Sequence, residues 1–334
     1  MMGKRFVSLL FWLCAGALPA QSFELSTSPV NWGGHLMIRY GADQSTGSVD
    51  TLSLRQAYLQ ASYQFDERLN AQIGFFADKF GSAKEALRTA FLDWRAASFL
   101  RLNAGRIILP TSREHASLLS DLEFINRSRA VSELFKNEPA GSDLGLKVLG
   151  RVKFFDYAAA MVNGAGDNVA DDTQAKTVAA RLAANWPEFG LAGYGYFGDQ
   201  ASGPDQTAVK NRWGGEMRLG PPEFPIRVEY HRGQDGGVHS LGWFIQAETI
   251  LPLFSQEAYE KLAWLRTVRP ALRFERWDPD IHQQNDKESV ANYAINWYPT
   301  ASLKIGVEYN DRREEAQAKQ ISNNAFAAHI QAKF

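Results

Sequence analysis

The chain is poor in cysteine and lacks long apolar runs, and both absences exclude classes of protein. Its only cysteine is Cys14, within an N-terminal stretch that we expect to be removed. We therefore expect neither a disulfide nor a cysteine-ligated metal site in the mature chain. After that stretch no run approaches the roughly 18 consecutive apolar residues of a transmembrane helix, so helical membrane spans are excluded.

A surplus of charge of one sign is also missing. The chain has 36 Lys and Arg residues against 37 Asp and Glu residues. Removing Lys4 and Arg5 with the N-terminal stretch leaves 34 against 37, a net charge of −3. A chain with this balance has no global attraction for polyanions, so we expect no nucleic-acid partner. Any attraction of small anions must be local.

The N-terminal stretch has the composition of a secretory signal peptide. Two basic residues precede the apolar run Phe6–Leu13, and small residues follow it. The run is too short to span a membrane. Cleavage after Ala17 and cleavage after Ala20 both fit the pattern. We predict a signal peptide at residues 1–20 and a single exported domain at residues 21–334.

The rest of the chain alternates between apolar and polar residues with a period of two. In the last segment Phe326 and Ile330 fall on one face, whereas His329 and Lys333 fall on the other. This pattern is typical of β-strands with one apolar and one polar face. Sixteen such segments are predicted: 34–41, 51–65, 69–79, 86–98, 100–108, 142–150, 153–163, 174–186, 189–198, 208–219, 224–232, 239–251, 257–277, 287–298, 302–311 and 321–334.

The connections between the segments alternate in length. Seven are tight, including LPLF at 251–254, and the other eight are longer and rich in Gly, Asp, Asn and Gln. Short turns on one side and long loops on the other are typical of outer-membrane barrels, as are aromatic residues such as Trp94 and Trp297 at strand ends. Sixteen strands are too many for the alternative, a soluble β-sandwich. We predict an all-β fold, a 16-stranded antiparallel transmembrane β-barrel in the bacterial outer membrane.

A barrel of sixteen strands is wide enough for an aqueous channel, and its polar faces would line that channel. By the alternation, cations on the inward faces are Arg39, Arg95, Arg101, Lys147, Arg181, Arg212, Arg218, Arg227, Arg273 and Lys304. Acids on the same faces are Asp78, Asp93, Glu216, Glu229, Glu248, Glu275 and Glu308. The wall has a cationic surplus, although each cation could instead pair with a neighbouring carboxylate.

Residues 111–141 interrupt the alternation between the fifth and sixth segments. This third long loop mixes apolar residues with cations, so we predict that it folds inward and narrows the channel. Rings of Arg or Lys select anions, and the planar fork of Arg suits phosphate. The candidate pore and anion-binding residues are Arg127, Arg113, Arg129, Lys136, Arg39, Arg101, Lys147, Arg181, Arg218 and Arg227. Salt bridges within the loop are the alternative, because it also contains Glu114, Asp121, Glu123, Glu133 and Glu138.

Several stretches resemble a known family. GRIILPTSREHASLLSDLEFINRSRAVSELF at 105–135 leads into the return segment SDLGLKVLG at 142–150, and AFLDWRAASFLRLNAGR lies just upstream. Together they are similar to the third-loop region of the phosphate-selective porin O/P family. The resemblance implies a homotrimeric sixteen-stranded porin in outer-membrane lipid that passes phosphate-type anions. It favours Arg127 as the functional loop residue, followed by Arg113 and Lys136.

Two other functions stay open. A general diffusion porin would share the fold without an anion preference. An outer-membrane barrel enzyme is the less favoured alternative, because the sequence has no H-E-x-x-H, G-x-S-x-G or P-loop pattern. The sequence points to no catalytic residue, no metal ligand and no cofactor, and it does not determine which anion is preferred.

Overall fold

In the computed structural model the described residues form a closed antiparallel barrel of sixteen strands. These residues are 30–44, 49–81, 86–136, 141–165, 175–203, 206–249, 267–315 and 323–334. The strands, numbered β1 to β16, are Val30–Asp43, Thr51–Gln64, Leu69–Phe76, Leu87–Ala97, Leu100–Ile108, Ser142–Val152, Phe155–Val162, Thr177–Asn185, Phe189–Gly203, Gln206–Leu219, Ile226–Asp235, Val238–Glu248, Val268–Asp278, Glu288–Thr300, Leu303–Glu314 and Ala325–Lys333. Every strand pairs with its neighbours in sequence, and β1 pairs with β16. The predicted fold class, a 16-stranded antiparallel barrel, is confirmed.

Two predicted loop lengths are wrong. The connection predicted as long at 198–208 is short, because β9 ends at Gly203 and β10 begins at Gln206. The connection between β11 and β12 lies on the side of the long loops, yet it consists only of Gly236 and Gly237. Gly236 has φ +58°, a conformation that glycine adopts without steric cost, so the two strands meet in a tight hairpin. The predicted signal peptide at 1–20 and the predicted tight turn at 251–254 lie outside the described residues.

The barrel wall is apolar outside and polar inside. On β16, Ile330 is 53% exposed, whereas His329 and Gln331 are only 3% and 2% exposed. The same inversion recurs on β13, where Leu272 is exposed and Arg273 is buried. A soluble protein would bury the apolar side chains, so this arrangement fits a surface that contacts lipid.

The chain between β5 and β6 is largely helical and irregular. It contains two short helices, α1 (Arg113–Ala116) and α2 (Arg129–Leu134), and a 3₁₀ turn at Leu119–Asp121. None of the helices in the described part of the chain is long and apolar enough to cross a membrane. Hereafter residues 109–136 are called the connecting segment.

Candidate functional site

The local structure of the connecting segment follows from its serines. Ser112 Oγ accepts a hydrogen bond from His115 N, and Ser128 Oγ accepts one from Val131 N. Serine at these positions satisfies backbone donors that a helix leaves free at its first turn. Both serines are buried, and Ser128 Oγ also donates to Glu114 at 2.5 Å. These hydroxyls therefore organise the segment.

Carboxylates of the barrel wall accept hydrogen bonds from backbone N–H groups of the connecting segment. Arg113 N donates to Glu216 of β10 at 2.8 Å. Ile125 N donates to Glu308 of β15, also at 2.8 Å. These two wall carboxylates, predicted as part of the channel lining, thus hold the segment on two widely separated strands.

Cations and amides of the wall donate to backbone carbonyls of the same segment. Lys304 Nζ donates to Leu122 O at 2.9 Å, and Arg212 Nε donates to Leu134 O at 2.8 Å. Gln331 Nε2 of β16 donates to Ser120 O at 3.0 Å. Arg212 and Lys304 were predicted as channel-lining cations. Their contacts show that they also fasten the segment.

Helix α2 packs against the wall through an apolar contact. Val131 and Leu134 cluster with Tyr194 of β9 and Trp277 of β13. The wall makes room here with a glycine. A Cβ built on Gly242 of β12 would lie 2.3 Å from Ala130 Cβ, so no larger residue fits without a shift. The sequence pattern contained no signal for this contact.

A buried charge cluster ties the segment to β13. Arg273 Nη1 lies 3.0 Å from Glu114 Oε1, and Arg273 Nε lies 2.9 Å from Glu275 Oε1. The side chains of all three residues are at most 4% exposed. Removing one partner of a buried pair usually costs about 3–5 kcal/mol, because the other charge stays buried. The cluster is therefore a strong attachment point.

Glu123 is the centre of a second charge cluster between the connecting segment and the wall. Its carboxylate contacts Arg113 at 3.3 Å and also pairs with Arg227 of β11. Burial disfavours the charged form, but the two guanidinium groups outweigh it and hold the pKa of Glu123 below its ordinary value. Glu123 is consequently ionised at neutral pH and neutralises part of the charge of Arg113 and Arg227.

A cavity of about 760 Å³ lies on the side of the short turns, and we call it the turn-side cavity. Part of its lining comes from the β4–β5 turn at Ser98 and Phe99, and part from the connecting segment at 109–113. Among the described residues its charged lining comprises six cations and one acid: Arg95, Arg101, Arg113, Lys147, Arg151, Arg181 and Asp156. The lining of this cavity therefore has a cationic surplus.

A second cavity, of about 460 Å³, lies on the side of the long loops, and we call it the loop-side cavity. Within the described ranges its charged lining comprises eight cations and three acids: Arg39, Arg55, Lys79, Arg127, Arg129, Lys136, Arg273, Arg312, Asp78, Glu275 and Glu308. The two cavities share no lining residue, and different residues of the connecting segment line each of them. Both sides of the segment thus have a cationic surplus.

The structure divides the ten candidate residues between these regions. The loop-side cavity is lined by Arg39, Arg127, Arg129 and Lys136. The turn-side cavity is lined by Arg101, Arg113, Lys147 and Arg181. A smaller turn-side cavity of about 230 Å³ is lined by Arg218 and Arg227 together with Arg113 and Arg181.

Many of the candidates have partners, as the alternative reading anticipated. Arg101 pairs with Asp93, and Arg181 Nη2 lies 2.6 Å from Glu216. Within the segment Arg129 Nη1 lies 2.7 Å from Glu133. Several of these partner carboxylates lie outside the cavity linings. When they are counted, the described residues give six cations against four carboxylates on the turn side and eight against six on the loop side, so a surplus stays on each side.

Three candidates bind carbonyl oxygens of the backbone. Arg127 Nη2 donates to Ser117 O at 2.8 Å, and Arg218 Nη2 donates to Trp186 O at 2.6 Å. Lys147 Nζ donates to Ile108 O at 2.8 Å. In the part of the chain that the structure describes, His, Cys, Asp and Glu form no group of three or more able to hold a metal.

Sequence reasoning missed Arg55. Counted back from Ala57 and Leu59, Arg55 belongs to the lipid-facing set, yet it lines the loop-side cavity together with Gln56. The pairing of β1 with β2 shifts between Met37 and Ile38, so one residue of β2 is extra at this point. Such a bulge changes the face of the sheet on which the following side chains lie, and here it brings Arg55 to the cavity. The sequence did contain a sign of this bulge, because Arg55 is a charged residue on a face of β2 that is otherwise apolar.

Comparisons with solved structures identify the fold. The chain is similar to the anion-selective porin from Comamonas acidovorans (TM-score 0.66, 12% identity, covering 91% of this chain and 99% of that one). It is also similar to the trimer form of OmpT, an outer membrane protein of Vibrio cholerae (TM-score 0.67, 10% identity, 91% and 99% covered). The outer membrane channel DcaP of Acinetobacter baumannii matches with a TM-score of 0.64 at 10% identity, over 91% of this chain and 97% of that one.

At these identities the comparisons show the fold alone, which is that of outer-membrane porins. No protein-family model matches the chain, and no curated protein sequence matches it. The similarity to the phosphate-selective porin O/P family therefore stays a prediction.

Proposed function

We propose that the protein is an outer-membrane porin that forms a water-filled channel for passive diffusion of small anions, with phosphate-type anions as the preferred class. The observation that carries the proposal is the excess of cations over carboxylates in the cavities on both sides of the connecting segment. Clefts lined by one sign of charge concentrate counter-ions. The resemblance of residues 105–150 to the phosphate-selective family supports the choice of phosphate.

The connecting segment supplies the constriction in this proposal. It is bonded to wall residues on β10, β13, β15 and β16, which lie far from its own strands β5 and β6 around the barrel. We infer that it folds into the lumen and narrows the path of the ions. Arg113 is the residue best placed to meet them, because it lines two of the turn-side cavities.

The test is the reversal potential of the purified protein in a planar bilayer under a salt gradient. We expect the sign that indicates anion permeation, and we expect micromolar phosphate to block the chloride current. Anion selectivity without block by phosphate would mean that the protein is an anion channel with no preference for phosphate. A channel without any ion selectivity would favour a general diffusion porin. Lipid or peptide hydrolysis without conductance would identify an enzyme instead.

Replacing two cations of the turn-side cavity, one of them by a carboxylate, should reduce the anion selectivity. Neither Arg95 nor Lys147 has a carboxylate partner among the described residues. The double substitution Arg95→Glu/Lys147→Gln therefore removes cationic charge without stranding an acid. We expect the anion-to-cation permeability ratio to fall by roughly three- to tenfold, because clefts of one sign hold potentials of several kT.

The matched control is Arg68→Glu, which changes an exposed residue of the β2–β3 turn on the same side of the barrel. It should leave the permeability ratio unchanged. An unchanged ratio in the Arg95→Glu/Lys147→Gln channel, with its conductance intact, would contradict the role given to the turn-side cavity.

We also propose that the protein assembles as a homotrimer. An apolar groove on the outer face of β1 to β5 supports this, because small residues such as Ala71 and Ala90 line it together with Trp32 and Leu92. The trimer form of the structurally similar Vibrio protein is consistent with it. We expect chemical cross-linking in detergent to yield a species of three chains. A species of one chain at every protein concentration would contradict the trimer.

A further inference from the structure

Two guanidinium groups meet at the β1–β2 pair, on the wall of the loop-side cavity. Arg39 of β1 is paired in register with Ser53 of β2, and the bulge in β2 brings Arg55 to the same cavity. Both guanidinium groups are positively charged and line this one cavity. Two like charges destabilise the wall unless something of opposite charge lies between them.

Neither guanidinium is fully satisfied by the described residues. The Nε atoms of Arg39 and Arg55 are buried and have no hydrogen-bond partner in the described part of the chain. Arg55 Nη2 donates to the neutral amide oxygen of Asn126 at 3.1 Å. Asp78 and Glu308 attract Arg55 from a distance, but neither forms an ion pair with it among the described residues. A buried donor left unpaired costs about 1–3 kcal/mol.

The carboxylates across the cavity are already occupied. Glu275 binds Arg273 at 2.9 Å and Asn292 at 2.6 Å. Glu308 binds Ile125 N at 2.8 Å and Asn310 at 2.9 Å. These acids hold the connecting segment, so they are not counter-ions for the β1–β2 pair. The third acid of the lining, Asp78, accepts a hydrogen bond from Ala57 N at 2.7 Å. Among the described residues, acceptors for the buried Nε atoms of Arg39 and Arg55 are therefore missing, and a bound anion would supply them.

The size of the cavity restricts the class of ligand. At about 460 Å³ it falls within the range of pockets that hold small organic molecules, roughly 300–1,000 Å³. Phe76 and Phe135 add apolar surface to the lining, which an inorganic ion does not need. The planar fork of each guanidinium matches a carboxylate or phosphate group.

We propose that Arg39 and Arg55 form, in the loop-side cavity, a binding site for an organic oxyanion, a molecule that carries carboxylate or phosphate groups on a body larger than inorganic phosphate. This inference rests on the proposed anion-channel function and names the substrate class of the channel. The site lies ahead of the connecting segment on the loop side, so the ligand is held there before it reaches the narrow part of the path.

The experiment measures current block in planar bilayers, with citrate as the carboxylate probe, glycerol phosphate as the phosphate-ester probe and inorganic phosphate as the small probe. We expect at least one organic probe to block the chloride current at a lower concentration than inorganic phosphate. Block by citrate alone or by glycerol phosphate alone identifies the group recognised. Equal or weaker block by both organic probes overturns the inference.

Two double variants distinguish specific binding by Arg39 and Arg55 from general electrostatic attraction of anions. In Arg39→Gln/Arg55→Gln the half-blocking concentration of the effective probe should rise at least about tenfold, as expected for losing two charge-assisted contacts. In Arg39→Lys/Arg55→Lys most of this loss should remain, because lysine keeps the charge but not the fork. Unchanged block in either variant overturns the site.

Failure of this inference is distinguishable from failure of the proposed function. An anion-selective reversal potential without preferential block by either organic probe would leave the anion channel standing and remove the site. A reversal potential without anion selectivity would remove both.

Discussion

Replacing Gly242 with alanine is expected to displace helix α2 and to raise the single-channel conductance severalfold. The added Cβ would lie 2.3 Å from Ala130 Cβ and 2.9 Å from the Trp277 ring, closer than van der Waals contact allows. Overpacking of this kind costs about 1–3 kcal/mol, which shifts the balance toward a displaced segment by about 5- to 150-fold. Since we infer that the segment narrows the channel, its displacement should widen it.

A second substitution provides the rescue. Ala130→Gly removes the atom that collides, so the variant Ala130→Gly/Gly242→Ala should recover most of the original conductance, although glycine in a helix costs about 1 kcal/mol. Gly237→Ala is the matched control, because no atom lies within 4 Å of a Cβ built there. A conductance of Gly242→Ala equal to that of the original protein would show that α2 does not limit the channel.

Replacing Arg273 with glutamine should loosen the connecting segment from the wall. The side chain binds Glu114 and Glu275, and its Nη2 donates to Asn126 O at 3.2 Å. Its loss leaves two buried carboxylates without a counter-ion, a cost of about 3–5 kcal/mol. We expect the amide hydrogens of Ser128 and Arg129, which donate to these carboxylates, to exchange about a hundred- to a thousandfold faster.

The same substitution at an exposed pair gives the comparison. Arg313 lies 2.8 Å from Asp311, and its side chain is 76% exposed. Exposed pairs contribute little, about 0–1 kcal/mol, so Arg313→Gln should leave exchange in the segment unchanged. Original exchange rates at Ser128 and Arg129 in the Arg273→Gln protein would mean that the apolar contacts of α2 suffice to hold the segment.

The sequence was sufficient for the sheet. Alternation with a period of two depends only on the order of residues along one strand, so the sixteen strands and their lipid-facing sets could be assigned before any tertiary contact was known. The prediction of which side chains face inward was wrong at Arg55, where the alternation is interrupted. The bulge that carries Arg55 to the interior is a property of the pairing between β1 and β2, and a single strand does not contain it.

The roles of individual charges could be predicted only in part. The alternation along the strands predicts that Arg181 and Lys147 face the interior, and both residues line the turn-side cavity. It could not show that Arg212 and Lys304 would be bonded to the backbone of the connecting segment. These contacts join residues more than seventy positions apart in sequence, and their geometry depends on the path of the segment.

The amino-acid order alone thus determined that this chain builds a closed β wall with an apolar exterior, because side chains alternate between the two faces of a strand whatever lies around them. The tertiary structure alone decided which inward charges are engaged by neighbours and which keep free donors. Pairing of charges depends on distances between strands and across the interior, and such distances exist only once the barrel has closed.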